Sequence, residues 1–539
     1  MLGLSTALSF LSGGGTPITG GAVTVPDEPY VPPEPVDPPA DPPPDPPSEP
    51  PSDPGDTGDT GGGDPTPPPP PPPPATAPAL PLAVTTRWHP AFSTVTLDAG
   101  RVATASDLEG VADTTAPTGE GPKAMTDALG RPFWRFEGDS YLSVADTVAL
   151  SSRAMSVFMV GRFHQVSTRS PVFSIGSVAA GTASNTIHAG LETSTYQNSV
   201  PLVRAFSHPR NASYPTPEKM VTGSQMQVVG MAGRPVEDGA TTLWMNSDKV
   251  TATQPYPRTD IAGAEIGRYA YSPGASGTWG RFDLYEMIVV DTAVSDADGD
   301  TLVSDLMATY GIVPITNQMV LEGDSIMQGT GDVTTGLRAD MVLTDPGAGL
   351  IGPDWRVVNM ASSGAQVTKL LERRNTDAGW PVIKAPGQNV VALEIGRNDL
   401  SPAGGKTPAQ HYSNVVTYLT DGFGASGQNI FARDWQVRKM VNIGASVSLE
   451  PNIDPYRDLI KDPSFATDTQ TAAGDAYAGQ LQLVHSNQIT LAGDTIFADK
   501  DDALDTTYYA GDSTHPNIAG CALRVTGGDT PENGIAYGL

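Results

Sequence analysis

Short apolar runs separated by turn-forming residues fill most of the chain between about residues 82 and 312. Five clear examples are residues 156–160, 172–175, 227–231, 242–245 and 283–290. Runs of this length, bounded by Gly, Asn, Asp and Pro, indicate β-strands, and many short strands with regular turns indicate an antiparallel sandwich. The pattern therefore predicts an all-β domain that closes with one helix at residues 296–310, whose first turn is acidic.

From about residue 313 to residue 539 the pattern changes to strands that alternate with helices. The predicted strands are residues 319–322, 356–359, 389–395, 437–443 and 494–498, and the clearest predicted helices are residues 407–419 and 469–484. Such alternation predicts a parallel sheet covered on both faces, a doubly wound, flavodoxin-like α/β domain. Its active site is expected beyond the carboxyl ends of the strands.

The first 81 residues predict no packed core. Residues 26–81 are rich in Pro, Gly and Asp, which favours a disordered, largely polyproline II linker or stalk; a proline-motif ligand is the alternative. Residues 1–25 include a short apolar stretch, but no Lys or Arg occurs before Arg87. A signal peptide begins with positive charge, so we expect an anchor segment that docks into a larger assembly, with a signal peptide as the alternative. No stretch reaches the ~18 apolar residues of a membrane span.

Charge and cysteine content exclude several classes of function. The formal net charge of -29 argues against binding to nucleic acid, which needs clustered Lys and Arg. The single cysteine, Cys521, excludes an intrachain disulfide and a thiolate zinc site. Carboxylates alternate at residues 296–300, but the glycine that follows the third acidic position in an EF-hand loop is replaced by Thr301. We therefore favour helix capping there over a cation. We expect no metal and no cofactor.

The triplet Gly-Asp-Ser occurs three times, at residues 138–140, 323–325 and 511–513. The first lies between two β-like runs and predicts a hairpin turn. The second follows a compact apolar strand and leads into a loop, where a parallel sheet presents reactive groups. The third directly precedes a histidine. Context therefore favours Ser325 as the nucleophile, although a plain turn is the alternative for any one triplet.

Three further sites in residues 313–539 carry groups suited to acyl transfer. Gly364 follows the second predicted strand and can bring its N–H close to a substrate oxygen, and Asn398 follows the third and offers an amide donor. Asp512 stands three residues before His515, so its carboxylate can accept from Nδ1–H and hold Nε2 toward a nucleophile. No other histidine of the chain has a carboxylate three residues before it.

These four blocks, in this order, resemble the SGNH or GDSL hydrolase family. The resemblance implies that Ser325 is the nucleophile, that His515 is the base oriented by Asp512, and that Gly364, Asn398 and the N–H of Ser325 form the oxyanion hole. Two positions depart from the family pattern. Ile326 replaces the usual Leu, and Arg397 stands where small residues are common. Arg397 is a candidate substrate-binding residue for an anionic substrate, with a solvated loop residue as the alternative.

Residues 136–142, 155–163, 266–269 and 280–286 resemble successive strands of concanavalin A-like, laminin-G-type jelly rolls. This resemblance assigns residues 82–312 to a jelly-roll sandwich and implies either carbohydrate binding or a spacer. The SGNH resemblance assigns residues 313–539 to a hydrolase domain.

The order of anchor, stalk, sandwich and esterase resembles the tail-fibre or spike proteins of phages and phage-like particles. It implies a virion-associated esterase that binds acetylated host surface polysaccharide and removes O-acetyl groups through a serine acyl-enzyme. Expected partners are that polysaccharide and other virion structural proteins, contacted through residues 1–25, and fibres of this kind suggest a homotrimer. The alternatives are a non-catalytic carbohydrate-binding adhesin and a secreted bacterial esterase with a carbohydrate-binding module.

Overall fold

The computed structural model describes residues 77–144, 154–164, 170–176, 187–196, 200–206, 220–221, 223–233, 240–252, 263–269, 279–329, 338–345, 347–375, 384–401, 403–420, 435–440, 481–484, 488–497, 507–510 and 515–539. Residues Pro69–Leu539 belong to one compact unit. The predicted anchor segment at residues 1–25 and the stalk as far as residue 76 lie outside the described residues. Both therefore stay predictions.

The larger of the two main sheets is antiparallel and contains seventeen strands. In chain order they are β1 (Thr86–Trp88), β2 (Val95–Asp98), β3 (Arg101–Ala105), β4 (Thr114–Thr115), β5 (Lys123–Thr126), β6 (Pro132–Glu137), β7 (Leu142–Val144), β8 (Met155–Phe163), β9 (Ser170–Gly176), β10 (Ile187–Tyr196), β11 (Val200–Phe206), β12 (Met220–Val221), β13 (Gln227–Gly233), β14 (Thr241–Met245), β15 (Asp248–Ala252), β16 (Gly263–Ile266) and β17 (Arg281–Val290).

These strands form two layers. One layer pairs β15, β14, β13, β8 and β17 in that order, with β6 and β1 on the far side of β17. The other pairs β12, β11, β10, β9, β16, β7 and β4. The strands β3 and β5 link the two, because β3 pairs with β4 and β5, and β5 pairs with β6.

The strand β8 is buried along its whole length because both of its faces are covered. Val157 and Met159 point into the core shared with the second layer, whereas Phe158 and Val160 belong to a separate apolar cluster. That cluster is completed by the helix α1 (Asp296–Tyr310). A strand enclosed on both faces needs apolar residues at successive positions, which explains the apolar run at residues 157–160.

Helix α1 confirms the helix predicted at residues 296–310. The Ser295 side chain caps it by accepting from the N–H of Asp298, and Gly311 ends it in the left-handed conformation. Asp300 accepts from the Trp244 indole at 2.9 Å and from the Lys249 ammonium at 2.6 Å. Ser295 therefore caps the helix, and Asp300 docks it onto the sheet.

The smaller main sheet has five parallel strands in the order β19, β18, β20, β21, β22. Its strands are β18 (Asn317–Gly323), β19 (Trp355–Asn359), β20 (Asn389–Glu394), β21 (Gln436–Met440) and β22 (Leu481–Val484). The described helices after α1 are α2 (Ser325–Gln328), α3 (Ala339–Leu343), α4 (Val367–Asn375), α5 (Arg397–Leu400), α6 (Pro408–Thr420) and α7 (Ile518–Thr526), with a 3-10 turn at Pro531–Asn533. Alternate residues of β18 and β20 contribute to apolar clusters on opposite faces.

The fold class predicted from the sequence is wrong for the described residues. A jelly roll followed by a doubly wound, flavodoxin-like α/β domain was expected there, yet most of the described strands belong to one antiparallel sheet of seventeen. Described helices are few, and the segments directly after β18 and β20 are helical over only four residues each. The described part of the chain is therefore predominantly β.

Two local predictions also need correction. Residues 481–484 form the strand β22, parallel to β21, whereas a helix was predicted through residue 484. The strand predicted at residues 494–498 is instead the short β24 (Asp494–Thr495), antiparallel to β23 (Thr490–Leu491). The helix predicted at residues 407–419 is confirmed as α6.

The first Gly-Asp-Ser triplet is not a hairpin turn. It joins β6 to β7, but β6 pairs with β5 and β17, while β7 pairs with β4 and β16. Gly138 takes φ +88 there. The turn therefore carries the chain from one layer to the other, which a hairpin cannot do. In the described part of the chain no helix is both long and apolar enough to cross a membrane.

Candidate functional site

Ser325 lies at the carboxyl end of the parallel strand β18. The strand ends at Gly323, where φ is +153 and a Cβ would overlap the carbonyl oxygen of Glu394. Only glycine suits that position. Asp324 then caps α2 by accepting from the N–H of Ile326 at 3.0 Å, which makes Ser325 the first residue of the helix. Ser325 is 7% exposed.

His515 stands directly beside Ser325. Its Nε2 is 2.8 Å from the Ser325 Oγ, although the two residues are 190 positions apart in the chain. That distance is within the range in which imidazole can accept a hydroxyl proton. The structure thus brings together the two residues that the sequence proposes as nucleophile and base.

The turn around His515 is tied by backbone and side-chain hydrogen bonds. The N–H of Ala510 donates to the carbonyl oxygen of His515 at 2.7 Å. Asn517 caps α7 by accepting from the N–H of Gly520 and also donates to the carbonyl oxygen of Thr507 at 2.9 Å. Asp512, the predicted orienting carboxylate, lies outside the described residues, so its role stays a prediction.

The two predicted oxyanion donors lie on neighbouring loops. Gly364 lies between β19 and α4 with φ +69, and a Cβ there would meet no atom within 4 Å. The glycine is therefore required by its backbone conformation and not by crowding. Asn398 lies in α5, and its Nδ2 donates to the carbonyl oxygen of Ala365 at 2.9 Å. This hydrogen bond joins the two loops.

Arg397 is largely buried, with 9% of its surface exposed. Its positive charge acts on the Asp324 carboxyl and favours the ionised form. Recognition of an anionic substrate by Arg397 stays a prediction.

A group of buried charges lies beneath the nucleophile. Burial, and after it the negative charge of Glu394, raise the pKa of the Asp324 carboxyl to about 7. Glu394, the last residue of β20, pairs with Arg524 of α7, and neither side chain is exposed. The sequence contained a signal for this pair, because a carboxylate that ends a buried apolar strand needs a partner.

A second buried pair supports the Asn398 loop. Both carboxylate oxygens of Asp399 lie 3.1 to 3.2 Å from the N–H of Val367, at the start of α4. His411 of α6 faces the same carboxylate at 3.6 Å, and both side chains are fully buried. Nothing in the sequence linked His411 to Asp399.

The arrangement supports acyl transfer in which Ser325 acts as the nucleophile. Transfer of the hydroxyl proton to His515 activates the oxygen, and N–H donors near Gly364 and Asn398 are suited to a developing oxyanion. Among the residues that the structure describes, no group of three or more His, Cys, Asp or Glu side chains is placed to hold a metal ion.

Comparisons with known proteins add little. No protein-family model and no curated protein matches the sequence. Partial similarities to solved structures include Trypanosoma rangeli sialidase bound to the inhibitor DANA, at 14% identity over 42% of this chain and 34% of that one, with a TM-score of 0.30. A mutant of the NanB sialidase from Streptococcus pneumoniae matches at 14% identity over 31% of this chain and 27% of that one, with a TM-score of 0.24. The chain thus spans about a third of the length of these proteins or less, and scores this low do not define a shared fold.

Proposed function

We propose that the chain is a serine esterase in which Ser325 and His515 carry out acyl transfer. The observation that supports this most strongly is the 2.8 Å approach of the His515 Nε2 to the Ser325 Oγ at the end of a parallel strand. The order of the sequence blocks around Ser325, Gly364, Asn398 and His515 resembles that of SGNH hydrolases and supports the same chemistry.

In the proposed reaction, the Ser325 Oγ attacks the acyl carbon of an ester while its proton passes to the His515 Nε2. The N–H groups of Ser325 and Gly364 and the amide of Asn398 stabilise the oxyanion. His515 then protonates the leaving alcohol, and a water molecule activated by the same imidazole releases the acid from the acyl-enzyme. Asp512 is assigned the role of holding the imidazole in the required orientation.

The proposed substrate is the O-acetyl group of a host surface polysaccharide, and the proposed location is the surface of a virion. These two parts are supported by the sequence architecture, in which an apolar segment and a Pro-rich stretch precede the strands. A secreted bacterial esterase and a non-catalytic adhesin are the competing functions.

Acetate release from purified O-acetylated surface polysaccharides tests the proposal. The wild-type protein is expected to release acetate, and Ser325→Ala is expected to release none. Polysaccharide binding without acetate release by the wild type would favour the adhesin. Loss of the first 25 residues from the mature protein would favour secretion over attachment to a particle.

A further inference from the structure

The ion pair between Arg524 and Glu394 connects the base to the nucleophile. Arg524 lies in α7, the helix that begins three residues after His515. Its Nη2 pairs with the Glu394 Oε2, and its Nη1 lies 3.4 Å from the carbonyl oxygen of Ile326, the residue after Ser325. One guanidinium thus contacts both the end of β20 and the helix that carries the nucleophile.

Glu394 is also tied to the nucleophile turn through its backbone. Its carbonyl oxygen accepts from the N–H of Asp324 at 3.2 Å, and the same oxygen is the atom that a Cβ on Gly323 would overlap. The backbone of Glu394 therefore holds Gly323 and Asp324, the two residues directly before Ser325. Arg524 transmits that position to the helix that follows His515.

Complete burial makes stability a poor explanation for this pair. Arg524 and Glu394 are both 0% exposed. Removing two charges from water costs several kcal/mol, and apolar residues of similar volume often replace such pairs without loss of stability. The planar guanidinium offers two donors at a fixed angle, which an apolar side chain cannot match. The geometry favours a role in alignment.

We propose that Arg524, held by Glu394, is a positioning residue that sets the alignment of Ser325 and His515. The inference rests on the proposed serine esterase function. Arg524 does not contact the reacting atoms. It acts by holding α7 and α2 at a fixed separation, and with them the distance between the Ser325 Oγ and the His515 Nε2.

The test uses Arg524→Lys and Glu394→Gln in the full chain, with p-nitrophenyl acetate as substrate. Lysine keeps the charge but cannot reach both Glu394 and the Ile326 carbonyl oxygen. We expect kcat to fall about 10- to 100-fold, the scale of a small misplacement of catalytic groups, with KM little changed. The losses of kcat in Arg524→Lys and Glu394→Gln should not add up in the double variant, because either change breaks the same contact.

Arg135→Lys is the matched control. Arg135 forms a buried two-point pair with Asp283 in the antiparallel sheet, at 2.8 and 3.0 Å. This variant should lose stability and keep its kcat. If Arg524→Lys keeps the wild-type kcat, or if Arg135→Lys loses kcat equally, the positioning role is overturned. If Arg524→Lys does not fold, the same measurements are made on Glu394→Gln, because glutamine keeps the side-chain volume of glutamate and an acceptor oxygen.

Labelling of Ser325 by a fluorophosphonate probe separates this inference from the proposed function. If the wild-type Ser325 is not labelled, the esterase function itself fails. If the wild type is labelled and Arg524→Lys is labelled at the same rate, only the positioning role fails. A slower rate for Arg524→Lys, with a normal rate for Arg135→Lys, is the result expected.

Discussion

At the level of single residues, the side chains of Asn398 and Ser325 are each oriented by a hydrogen bond to another residue. The Asn398 amide donates one N–H to the carbonyl oxygen of Ala365. A primary amide carries two N–H donors, so this bond fixes the plane of the amide while the second N–H can serve a substrate oxygen. The Ser325 hydroxyl is oriented in the same way by the His515 Nε2.

Asn398→Ala should therefore reduce turnover without unfolding the protein. Removal of one oxyanion donor typically lowers kcat by about 10²- to 10³-fold. The measurement is kcat with p-nitrophenyl acetate, beside circular dichroism and a thermal melt to show that the fold is kept. Wild-type turnover in a folded Asn398→Ala protein would remove Asn398 from the oxyanion hole.

The Asp324 carboxyl gives a pH dependence with a definite sign. Its pKa in the folded protein, about 7, lies above the ordinary value of 3.8. Between these values the folded protein keeps a proton that the unfolded chain has lost, so the contribution of Asp324 to stability falls as the pH rises through that window. Above the upper value the full cost of burying the charge is present.

Asp324→Asn should remove this contribution, because asparagine does not titrate but can still cap α2. The stability of the variant relative to the wild type should therefore be greater at about pH 8 than at about pH 4. The change in this difference should be on the order of 1 kcal/mol or more. Urea unfolding of both proteins at the two pH values measures the difference. Parallel pH dependence of the two proteins would show that the Asp324 carboxyl is not perturbed.

At the scale of elements, the sequence predicted those features that local patterning determines. Helix α1 is confirmed because its cap, acidic first turn and apolar positions all lie within the segment. The strand β22 was missed because its identity depends on pairing with β21, and the turn at Gly138 was misjudged because β6 and β7 pair with distant strands. Glu394, at the end of a buried apolar strand, signals the need for a partner, but that partner, Arg524, lies 130 positions away and no local pattern identifies it.

Gly299→Ala tests how closely α1 packs on the sheet. Alanine normally favours a helix over glycine by about 1 kcal/mol. Here a Cβ would lie 2.5 Å from the Cζ2 of Trp244, so the helix or the ring must move. Overpacking of this kind costs about 1 to 3 kcal/mol, and we expect net destabilisation.

Ser304→Ala is the matched control for this helix. Ser304 is exposed on the same helix, so its replacement should change the free energy of unfolding by about 0.5 kcal/mol or less. Chemical denaturation of the two variants provides the comparison. Equal stability of Gly299→Ala and Ser304→Ala would contradict the close contact between α1 and Trp244.

At the scale of the whole molecule, the antiparallel and parallel sheets are joined by buried polar contacts. The Arg162 guanidinium, from β8, donates to the carbonyl oxygen of Met341 at 2.9 Å and to the Thr344 hydroxyl at 3.0 Å. The Ser224 N–H donates to the carbonyl oxygen of Val357 in β19 at 3.2 Å. These contacts cross the domain boundary predicted at residue 312, and the residues on both sides of it belong to one compact unit.

Arg162→Met should weaken the coupling between the two sheets. It keeps most of the side-chain volume but leaves the carbonyl oxygens of Met341 and Ser224 without this donor, at a cost of about 1 to 3 kcal/mol. We expect the calorimetric unfolding transition to broaden or split into two. A single transition as sharp as that of the wild type would show that these contacts do not hold the sheets together.

The proposed nucleophile is Ser325 and no other Gly-Asp-Ser serine. Hydrolysis of p-nitrophenyl acetate by Ser325→Ala, measured beside Ser140→Ala, distinguishes between these serines. Ser140 ends the first copy of the Gly-Asp-Ser triplet. It is fully buried between β6 and β7, where its Oγ accepts from the N–H of Glu137 at 3.3 Å. Ser325→Ala should abolish hydrolysis, whereas folded Ser140→Ala should keep it. Persistent hydrolysis by Ser325→Ala would show that Ser325 is not the nucleophile.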